Sequence, residues 1–233
     1  MRYYTKEQII NWCEEASKEM KSFYNVGMLN YSGETRKNEL YTEIIAEWLL
    51  NNIEKLSEIK LHIRESSYNR HHKGTLGKGK EDSEKNIAIK IFNQGTFSDG
   101  LIIKDYQIPL KNRLKDKEGE IDLLAINEQE KSVYIFELKK KDCKRPESML
   151  RCVLEGYTYL RTVCKEKLFC DFNIPQSYEL KAAPLVFEGE KQYDEYMDKD
   201  RIYLHKLMKK LNIIPFFLSK NKKAEFVITK ATN

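Results

Sequence analysis

The sequence predicts an α/β fold in which one mixed central β-sheet is flanked by helices, in the core order αβββαβ with a C-terminal α-β-β extension. Two observations predict it. Short apolar runs, rich in Ile, Leu, Val and Phe and separated by polar residues, are typical of strands. These runs are residues 101–110, 119–124, 134–139, 181–188, 213–218 and 225–229. Apolar residues at helical spacing mark the intervening helices. These stretches are residues 5–23, 36–50, 147–165 and 194–211. Residues 83–92 fit either a further helix or a helix-to-strand transition.

The length of 233 residues suits a single domain with a substantial core. We divide that domain into an N-terminal helical segment of residues 1–35, a core of residues 36–188 and a C-terminal extension of residues 189–233. The order of strands and helices within the core is the basis of the functional hypothesis developed below.

Composition limits the classes of protein to which the chain can belong. Hydrophobic residues make up 41% of the chain and charged residues 33%. The sequence has no run of 18 apolar residues and no apolar signal core, so we expect no membrane. Its five cysteines form no C-x-x-C pair, which favours reduced thiols in a cytoplasmic protein. The net charge of +5 permits nucleic-acid binding without requiring it.

The most informative stretch is a predicted hairpin with charges inside apolar strands. Residues 127–131 are polar and read as its turn. Facing residues of an antiparallel pair have a constant sum of residue numbers, and the sum of 259 for Asp122 and Glu137 centres the hairpin inside that turn. We therefore expect these two carboxylates on neighbouring strands, directly across from each other. Lys139 follows Glu137 by two residues and should point to the same face.

Such a pair of carboxylates needs a compensating charge. At ~4 Å they repel by roughly 4 kcal/mol at an effective dielectric of about 20. A divalent cation removes the repulsion, and Mg²⁺ prefers carboxylate and carbonyl oxygens. With a lysine beside the metal, the set suits phosphodiester hydrolysis. The alternative is an ion-pair ladder on a sheet surface, such as Glu137 with Lys139, but both strands look buried on their two faces.

These residues resemble the motif of the PD-(D/E)xK nuclease superfamily, which has the restriction-endonuclease-like fold. The motif is an Asp on one strand, here Asp122, followed by (Asp/Glu)-x-Lys on the next, here Glu137-Leu138-Lys139. Ile121 stands where the motif's name has Pro, a position without a chemical role. The resemblance implies that Asp122, Glu137 and the Leu138 carbonyl bind Mg²⁺ or Mn²⁺, and that Lys139 positions water or stabilises the transition state.

The resemblance also implies a glutamate from the helix that precedes the sheet. Glu39, Glu43 and Glu47 form a stripe at helical spacing in the stretch 36–50. Glu39 fits the placement of the metal-binding glutamate, and Glu43 is the alternative. A solvated acidic face is the other interpretation of the stripe, and it is the one we expect for Glu47.

The helix after the hairpin carries the second supporting feature. Glu155 and Tyr159 lie four residues apart and share one helix face. RecB-type members of the superfamily have Gln-x-x-x-Tyr on this helix, beside the metal. Here Glu replaces Gln, so Glu155 could add a ligand or support Lys139. An ordinary surface Glu beside a core Tyr is the alternative. The resemblance covers about residues 36–165.

A glycine-rich basic stretch, residues 69–80, is predicted to be a loop. It could contact phosphates or be a solvated linker, and the sequence leaves both open. Further basic residues lie close to the motif: Lys139, Lys140, Lys141, Lys144 and Arg145. The adjacent histidines 71 and 72 lack a second cluster and predict no metal site. The run from Gly74 to Lys80 imitates a phosphate-binding P-loop, but Glu81 follows it and no apolar strand precedes it.

The sequence therefore predicts a metal-dependent nuclease that acts on DNA rather than RNA, with Mg²⁺ or Mn²⁺ as the cofactor. Its predicted site residues are Asp122, Glu137, Leu138, Lys139, Glu39 and Glu155. A homodimer is left open. One alternative is a non-catalytic nucleic-acid-binding or assembly protein on the same fold. Another is a small-molecule enzyme with an incidental Glu-x-Lys, which a closed apolar pocket near Lys139 would favour.

Overall fold

The structure is a computed structural model. It describes residues 3–30, 33–78, 80–113, 116, 119–141, 144 and 146–232. Gly79 of the basic loop, Cys143 and Arg145 lie outside the described residues.

Seven α-helices and six strands occur within the described residues. The helices are α1 (Lys6–Ala16), α2 (Tyr41–Asn51), α3 (Glu84–Gln94), α4 (Met149–Thr162), α5 (Lys165–Asp171), α6 (Lys191–Met197) and α7 (Ile202–Lys210). The strands are β1 (Leu101–Pro109), β2 (Glu120–Asn127), β3 (Ser132–Leu138), β4 (Glu179–Phe187), β5 (Phe216–Lys220) and β6 (Phe226–Lys230).

The six strands form one mixed sheet in chain order. β2 runs antiparallel to both of its neighbours, β1 and β3. β4 and β5 run parallel to β3, and β6 returns antiparallel to β5. Helices lie on both faces. The predicted α/β class with a mixed, helix-flanked sheet is thus confirmed. The order α3-β1-β2-β3-α4-β4 matches αβββαβ, with the unpredicted helix α5 inserted before β4.

Two apolar layers cover the sheet. Buried residues of α3 pack against one face, together with alternate residues of β2, β3 and β4. Buried residues of α4 and α5 pack against the other face, and α4 joins them to α1, α2 and α7. The alternation along the strands explains their two-sided burial, since each face has its own helical cover.

The predicted hairpin register is confirmed. The recorded pairs of β2 and β3 run from Leu123–Phe136 to Asn127–Ser132, and each pair sums to 259. Asp122 and Glu137 continue that register by one position. Sequence alternation and turn composition were enough to fix the alignment, because a one-residue slip would turn every apolar side chain to the wrong face.

Three helices differ from the sequence expectation. The stretch 194–211 contains α6 and α7 rather than one helix, because Asp198 ends α6 and its side chain bonds Arg201 and the Asp200 N–H locally. The first helix ends at Ala16, where the Ser17 hydroxyl donates back to the Glu14 carbonyl, and a 3₁₀ helix follows. The stretch 36–50 becomes helical only at Tyr41. The helix that directly precedes the strands is α3, because it lies between α2 and β1 in the chain.

Two further observations concern the helices and the cysteines. Among the described residues, no helix combines the length and the apolar character that crossing a bilayer requires. The cysteines Cys13, Cys152, Cys164 and Cys170 are free thiols.

Candidate active site at the ends of strands β2 and β3

Asp122 lies where β2 separates from β3. Regular pairing stops at Leu123–Phe136. Along β3 the next N–H groups point alternately to the two neighbouring strands: Lys139 N–H donates to Leu185 of β4 at 3.1 Å. The Leu138 N–H faces β2, and the Asp122 carboxylate accepts it through Oδ2 at 2.9 Å. A side chain therefore replaces the backbone acceptor here, and it fixes Asp122 beside the end of β3.

The Lys139 ammonium lies inside a cage of three carboxylates. Its Nζ atom is 2.7 Å from Oε1 of Glu137, 2.8 Å from Oε2 of Glu147 and 3.0 Å from Oε2 of Glu155. The side chains of Lys139, Glu137 and Glu155 are 9%, 5% and 12% exposed. Lys139 and Glu137 share a face, as predicted, and their ion pair is buried rather than on the surface of the sheet.

Helix α4 brings Glu155 onto this face of the sheet. The helix begins after Ser148, whose hydroxyl accepts the Arg151 N–H at 3.1 Å, and the Glu195 carboxylate accepts the Met149 N–H at 2.6 Å. Gly156 faces the sheet, where a Cβ atom would already be 3.6 Å from Cβ of Glu137. The α4 backbone at Gly156 therefore lies directly over Glu137 of β3.

The cluster carries more negative than positive charge. Four carboxylates, of Asp122, Glu137, Glu147 and Glu155, face two cations, of Lys139 and Arg151, which gives a formal charge of −2 when all are ionised. Arg151 Nε lies 3.0 Å from Glu147 and 3.9 Å from Glu155.

One oxygen of this cluster has no partner. Oε2 of Glu137 is buried and accepts no hydrogen bond among the described residues. Asp122 likewise makes no ion pair with any lysine or arginine that the structure describes. A buried carboxylate oxygen without a partner is costly, and such groups are uncommon in folded proteins. The site thus retains acceptor capacity that the protein itself does not use.

Burial raises the pKa of the Asp122 carboxyl from its ordinary 3.8 to about 7. The Leu138 N–H and the Lys139 ammonium oppose this shift, and the carboxylates of Glu84 and Glu155 reinforce it. Asp122 therefore exchanges its proton near neutral pH, so a cation that binds there competes with a proton.

Burial also raises the pKa of Glu137, more strongly than Lys139 lowers it, and the Asp122 and Glu155 charges add to the rise. The pKa of Glu155 is lowered, because its contacts with Lys139 outweigh its burial. Burial acts to lower the pKa of Lys139, but the surrounding carboxylates outweigh it and the pKa is raised. Lys139 is thus an ammonium at neutral pH, and Glu137 is the partner that takes up a proton first.

Sequence reasoning missed Glu84 and Glu147. Glu84 opens α3, the helix that directly precedes the strands, and its Oε1 accepts the Lys140 N–H at 3.2 Å. Its charge helps to raise the pKa of Asp122. The signal for Glu84 was an acidic residue directly after Ser83, which caps α3 by accepting the Asn86 N–H. Glu147 is partly buried and precedes α4, and no sequence pattern distinguished it from the other acidic residues.

The glutamates of the stretch 36–50 have other partners. Glu39 accepts from the Thr35 hydroxyl at 3.0 Å and lies 3.9 Å from Lys6. Glu43 accepts the first N–H groups of α7, from Tyr203 at 2.7 Å and from Leu204 at 3.0 Å. Glu47 pairs with Lys6 at 2.7 Å. None of these contacts joins the stripe to Asp122, Glu137 or Lys139 within the described residues, and a metal role for Glu39 stays a prediction.

The predicted pair on α4 is in contact. The Tyr159 hydroxyl donates to Oε1 of Glu155 at 3.1 Å, while Oε2 of Glu155 holds Lys139. Tyr159 also packs edge-on against Tyr24, with ring centroids 6.2 Å apart. A Cβ atom at Gly119 would lie 2.3 Å from the Tyr159 hydroxyl oxygen, so only glycine leaves room for this contact. Tyr159 therefore orients Glu155, and Glu155 orients Lys139.

The basic loop is held against α3 and β1. Asn93 donates to the Gly74 carbonyl at 2.9 Å, and Asn86 accepts the Gly77 N–H at 2.9 Å. His72 Nδ1 lies 2.8 Å from Asp105 and its ring stacks on Tyr106. These contacts place the loop along α3, whose first residue, Glu84, belongs to the candidate site.

A cavity of about 750 Å³ lies between α3 and the ends of β4 and β5, beside Lys141. Its charged lining includes three lysines and three acids: Lys90, Lys141, Lys220, Glu81, Asp82 and Glu188. Because the lining also includes the apolar side chains of Ile87, Phe187, Leu218 and Phe226, the cavity is mixed in character.

The donor set fits a hard cation only in part. Within the described residues, no three His, Cys, Asp or Glu side chains stand at distances that would hold a metal. The reason is visible in the geometry, since Glu137 and Glu155 both turn towards Lys139. The unpartnered Oε2 of Glu137 and the carboxylates of Asp122 and Glu84 are nevertheless the hard oxygen donors that Mg²⁺ and Mn²⁺ prefer.

Comparison of the chain with models of protein families, with curated proteins and with solved structures finds no significant match. The functional conclusion therefore rests on the site itself.

Proposed function

We propose that this protein is a metal-dependent nuclease that hydrolyses phosphodiester bonds of DNA, with a restriction-endonuclease-like core and Mg²⁺ or Mn²⁺ as its cofactor. One observation carries the proposal: a surplus of carboxylates, including the unpartnered Oε2 of Glu137, surrounds a buried ammonium at the splayed ends of two strands. The element order α3-β1-β2-β3-α4-β4 supports it, because it is the order that the sequence resemblance implies.

Asp122 and Glu137 would hold the cation, with the Leu138 carbonyl as a further ligand. Glu84, on the helix that directly precedes the strands, would take the role of the metal-binding glutamate that the sequence assigned to Glu39. When bound, the cation supplies a Lewis acid and an activated water at the phosphorus atom. The affinity for the cation rises as Asp122 loses its proton near neutral pH.

Lys139 keeps its proton and is aimed by Glu155, whose other oxygen is held by Tyr159. An ammonium fixed in this way stabilises the negative charge that develops on the phosphate oxygens. Glu137 would offer its unpartnered Oε2 to the cation while its Oε1 keeps Lys139 in place beside it.

The test is cleavage of supercoiled plasmid DNA by the purified protein in Mg²⁺ or Mn²⁺. We expect nicking that EDTA abolishes and that Asp122→Asn reduces at least about a thousandfold. Asn is close to Asp in size, and Asp122 belongs to no ion pair, so the variant should fold. Glu195→Gln, which alters a buried carboxylate away from the cluster, is the matched control and should cleave normally. Equal cleavage by Asp122→Asn would refute the proposal.

A second candidate is a non-catalytic nucleic-acid-binding or assembly protein on the same fold. The observation that favours it is the engagement of Lys139 by three carboxylates, which resembles a structural ion-pair network. This candidate predicts DNA binding that is indifferent to Mg²⁺ and Mn²⁺, with no melting shift on addition of either ion. A cation-dependent melting shift that Asp122→Asn removes would exclude it.

A further inference from the structure

Strands β1 and β2 change face at one position. Residues i and i+2 of a regular strand lie on the same face of a sheet. Tyr106 and Leu123 pack in the apolar layer formed with α3. Ile108, two residues after Tyr106, and Ile121, two residues before Leu123, pack in the layer formed with α5. The side chains of both strands therefore change from one face of the sheet to the other between these pairs. We call this change the rollover.

The residues at the point of rollover are Gln107 and Asp122. The recorded pairs Tyr106–Leu123 and Ile108–Ile121 place them opposite each other in the register of β1 and β2. Gln107 has φ of 45° and is the only non-glycine residue with positive φ inside a described strand. This left-handed conformation is disfavoured for a residue with a Cβ atom, and glycine would adopt it freely.

The Gln107 side chain has no evident structural purpose. It is partly exposed, and among the described residues it makes no hydrogen bond. The other strained residues differ from it: most are Asn or Asp, or lie in turns such as the one containing Ala224, at φ 62°. Gln107 is thus strained, has a free carboxamide and lies opposite a candidate metal ligand. This combination indicates that its side chain has a functional role rather than a structural one.

We propose that Gln107 is a substrate-positioning residue whose carboxamide donates a hydrogen bond to a non-bridging oxygen of the DNA phosphate beside Asp122. The inference rests on the proposed nuclease function. With its carboxylates ionised and before a cation binds, the neighbouring cluster carries a surplus of negative charge that repels a phosphate. A neutral amide donor attracts the phosphate oxygen without taking a carboxylate away from Lys139 or from a cation.

The experiment compares Gln107→Gly with Ala224→Gly, on a labelled DNA duplex in saturating Mg²⁺. Both changes relieve a positive φ, but only the first removes a carboxamide. For Gln107→Gly we expect KM to rise about tenfold, the effect of one lost hydrogen bond to a charged group, while kcat changes less than about threefold. Its Tm should stay constant or rise by up to about 4 °C. Ala224→Gly should keep the KM and kcat of the unaltered protein.

An unchanged KM in Gln107→Gly would overturn the inference. So would a lower Tm with a lower kcat, because that outcome would give Gln107 a structural role. The two proposals fail differently. If the unaltered protein cleaves no DNA, the nuclease function fails and this inference with it. If it cleaves and Gln107→Gly matches it, only the inference fails.

Discussion

Glu137 and Glu195 are both buried glutamates, and burial raises the pKa of each. They differ in how many of their carboxylate oxygens have partners. Both oxygens of Glu195 have partners: Oε2 accepts the Met149 N–H at 2.6 Å, and Oε1 lies 3.8 Å from Lys191 and 3.7 Å from Arg201. Glu137 uses Oε1 for Lys139 and leaves Oε2 without a partner.

The charge balance also differs: it is even around Glu195 and negative around Glu137. In the Glu195 cluster, the two carboxylates of Glu195 and Asp198 face the two cations Lys191 and Arg201. Near Glu137, four carboxylates face two cations. The fold is therefore able to neutralise a buried glutamate completely, and it does so where the glutamate caps a helix. The incomplete neutralisation at Glu137 is the observation on which the proposed cation site rests.

Removal of Lys139 should have the largest effect. Lys139→Ala leaves three carboxylates without their shared cation, and we expect it to lower the free energy of unfolding by about 3 kcal/mol. It should also abolish DNA cleavage per folded molecule. Urea denaturation measures the first effect, and nicking assays at a temperature where circular dichroism shows a folded protein measure the second. Arg201→Ala, in the Glu195 cluster, should destabilise the protein but leave cleavage by the folded fraction unchanged. Full cleavage by folded Lys139→Ala would contradict a catalytic role for the ammonium.

Neutralising the two glutamates in turn should shift stability in opposite directions. Glu137→Gln removes a charge from a cluster with a surplus, so we expect the free energy of unfolding at pH 8 to rise by about 1 kcal/mol. Glu195→Gln breaks a balanced set and should lower it by about 1 kcal/mol. Urea titrations of both variants measure the difference. A loss of stability in both would show that Glu137 is as well satisfied as Glu195.

The pKa of Asp122 predicts a smaller, pH-dependent effect. Because the pKa is near 7 when folded and 3.8 ordinarily, the folded protein binds the extra proton between these values. The stabilisation that Asp122 contributes is complete below pH 3.8 and is lost as the pH rises through 7. Asp122→Asn should therefore gain stability over the unaltered protein from pH 4 to pH 8, by about 1–2 kcal/mol, since partial contact with solvent reduces the full effect. A stability difference that is constant with pH would show that Asp122 titrates normally.

Local patterns predicted the hairpin and the contacts within single elements. Alternation and turn composition gave the register of β2 and β3, and the same-face rule placed Lys139 beside Glu137. The spacing of four residues brought Tyr159 to Glu155. Each of these depends on the geometry of one strand pair or one helix, which a sequence specifies directly.

The sequence did not reveal which distant segments meet. The acidic stripe of Glu39, Glu43 and Glu47 looked like a metal-binding face, but Glu39 precedes α2 and Glu43 caps α7 across a separation of about 160 residues. Glu84 enters the site because α3, rather than α2, packs beside β1. The rollover at Gln107 arises from packing on both faces of the sheet, and no local pattern indicates it.

Isothermal titration with Mn²⁺ at pH 8 tests the central claim most directly. We predict one bound ion per chain, binding that weakens as the pH falls below 7, and loss of binding in both Asp122→Asn and Glu137→Gln but not in Glu195→Gln. Absence of Mn²⁺ binding by the unaltered protein, or equal binding by all three variants, would show that the carboxylates around Lys139 only neutralise one another.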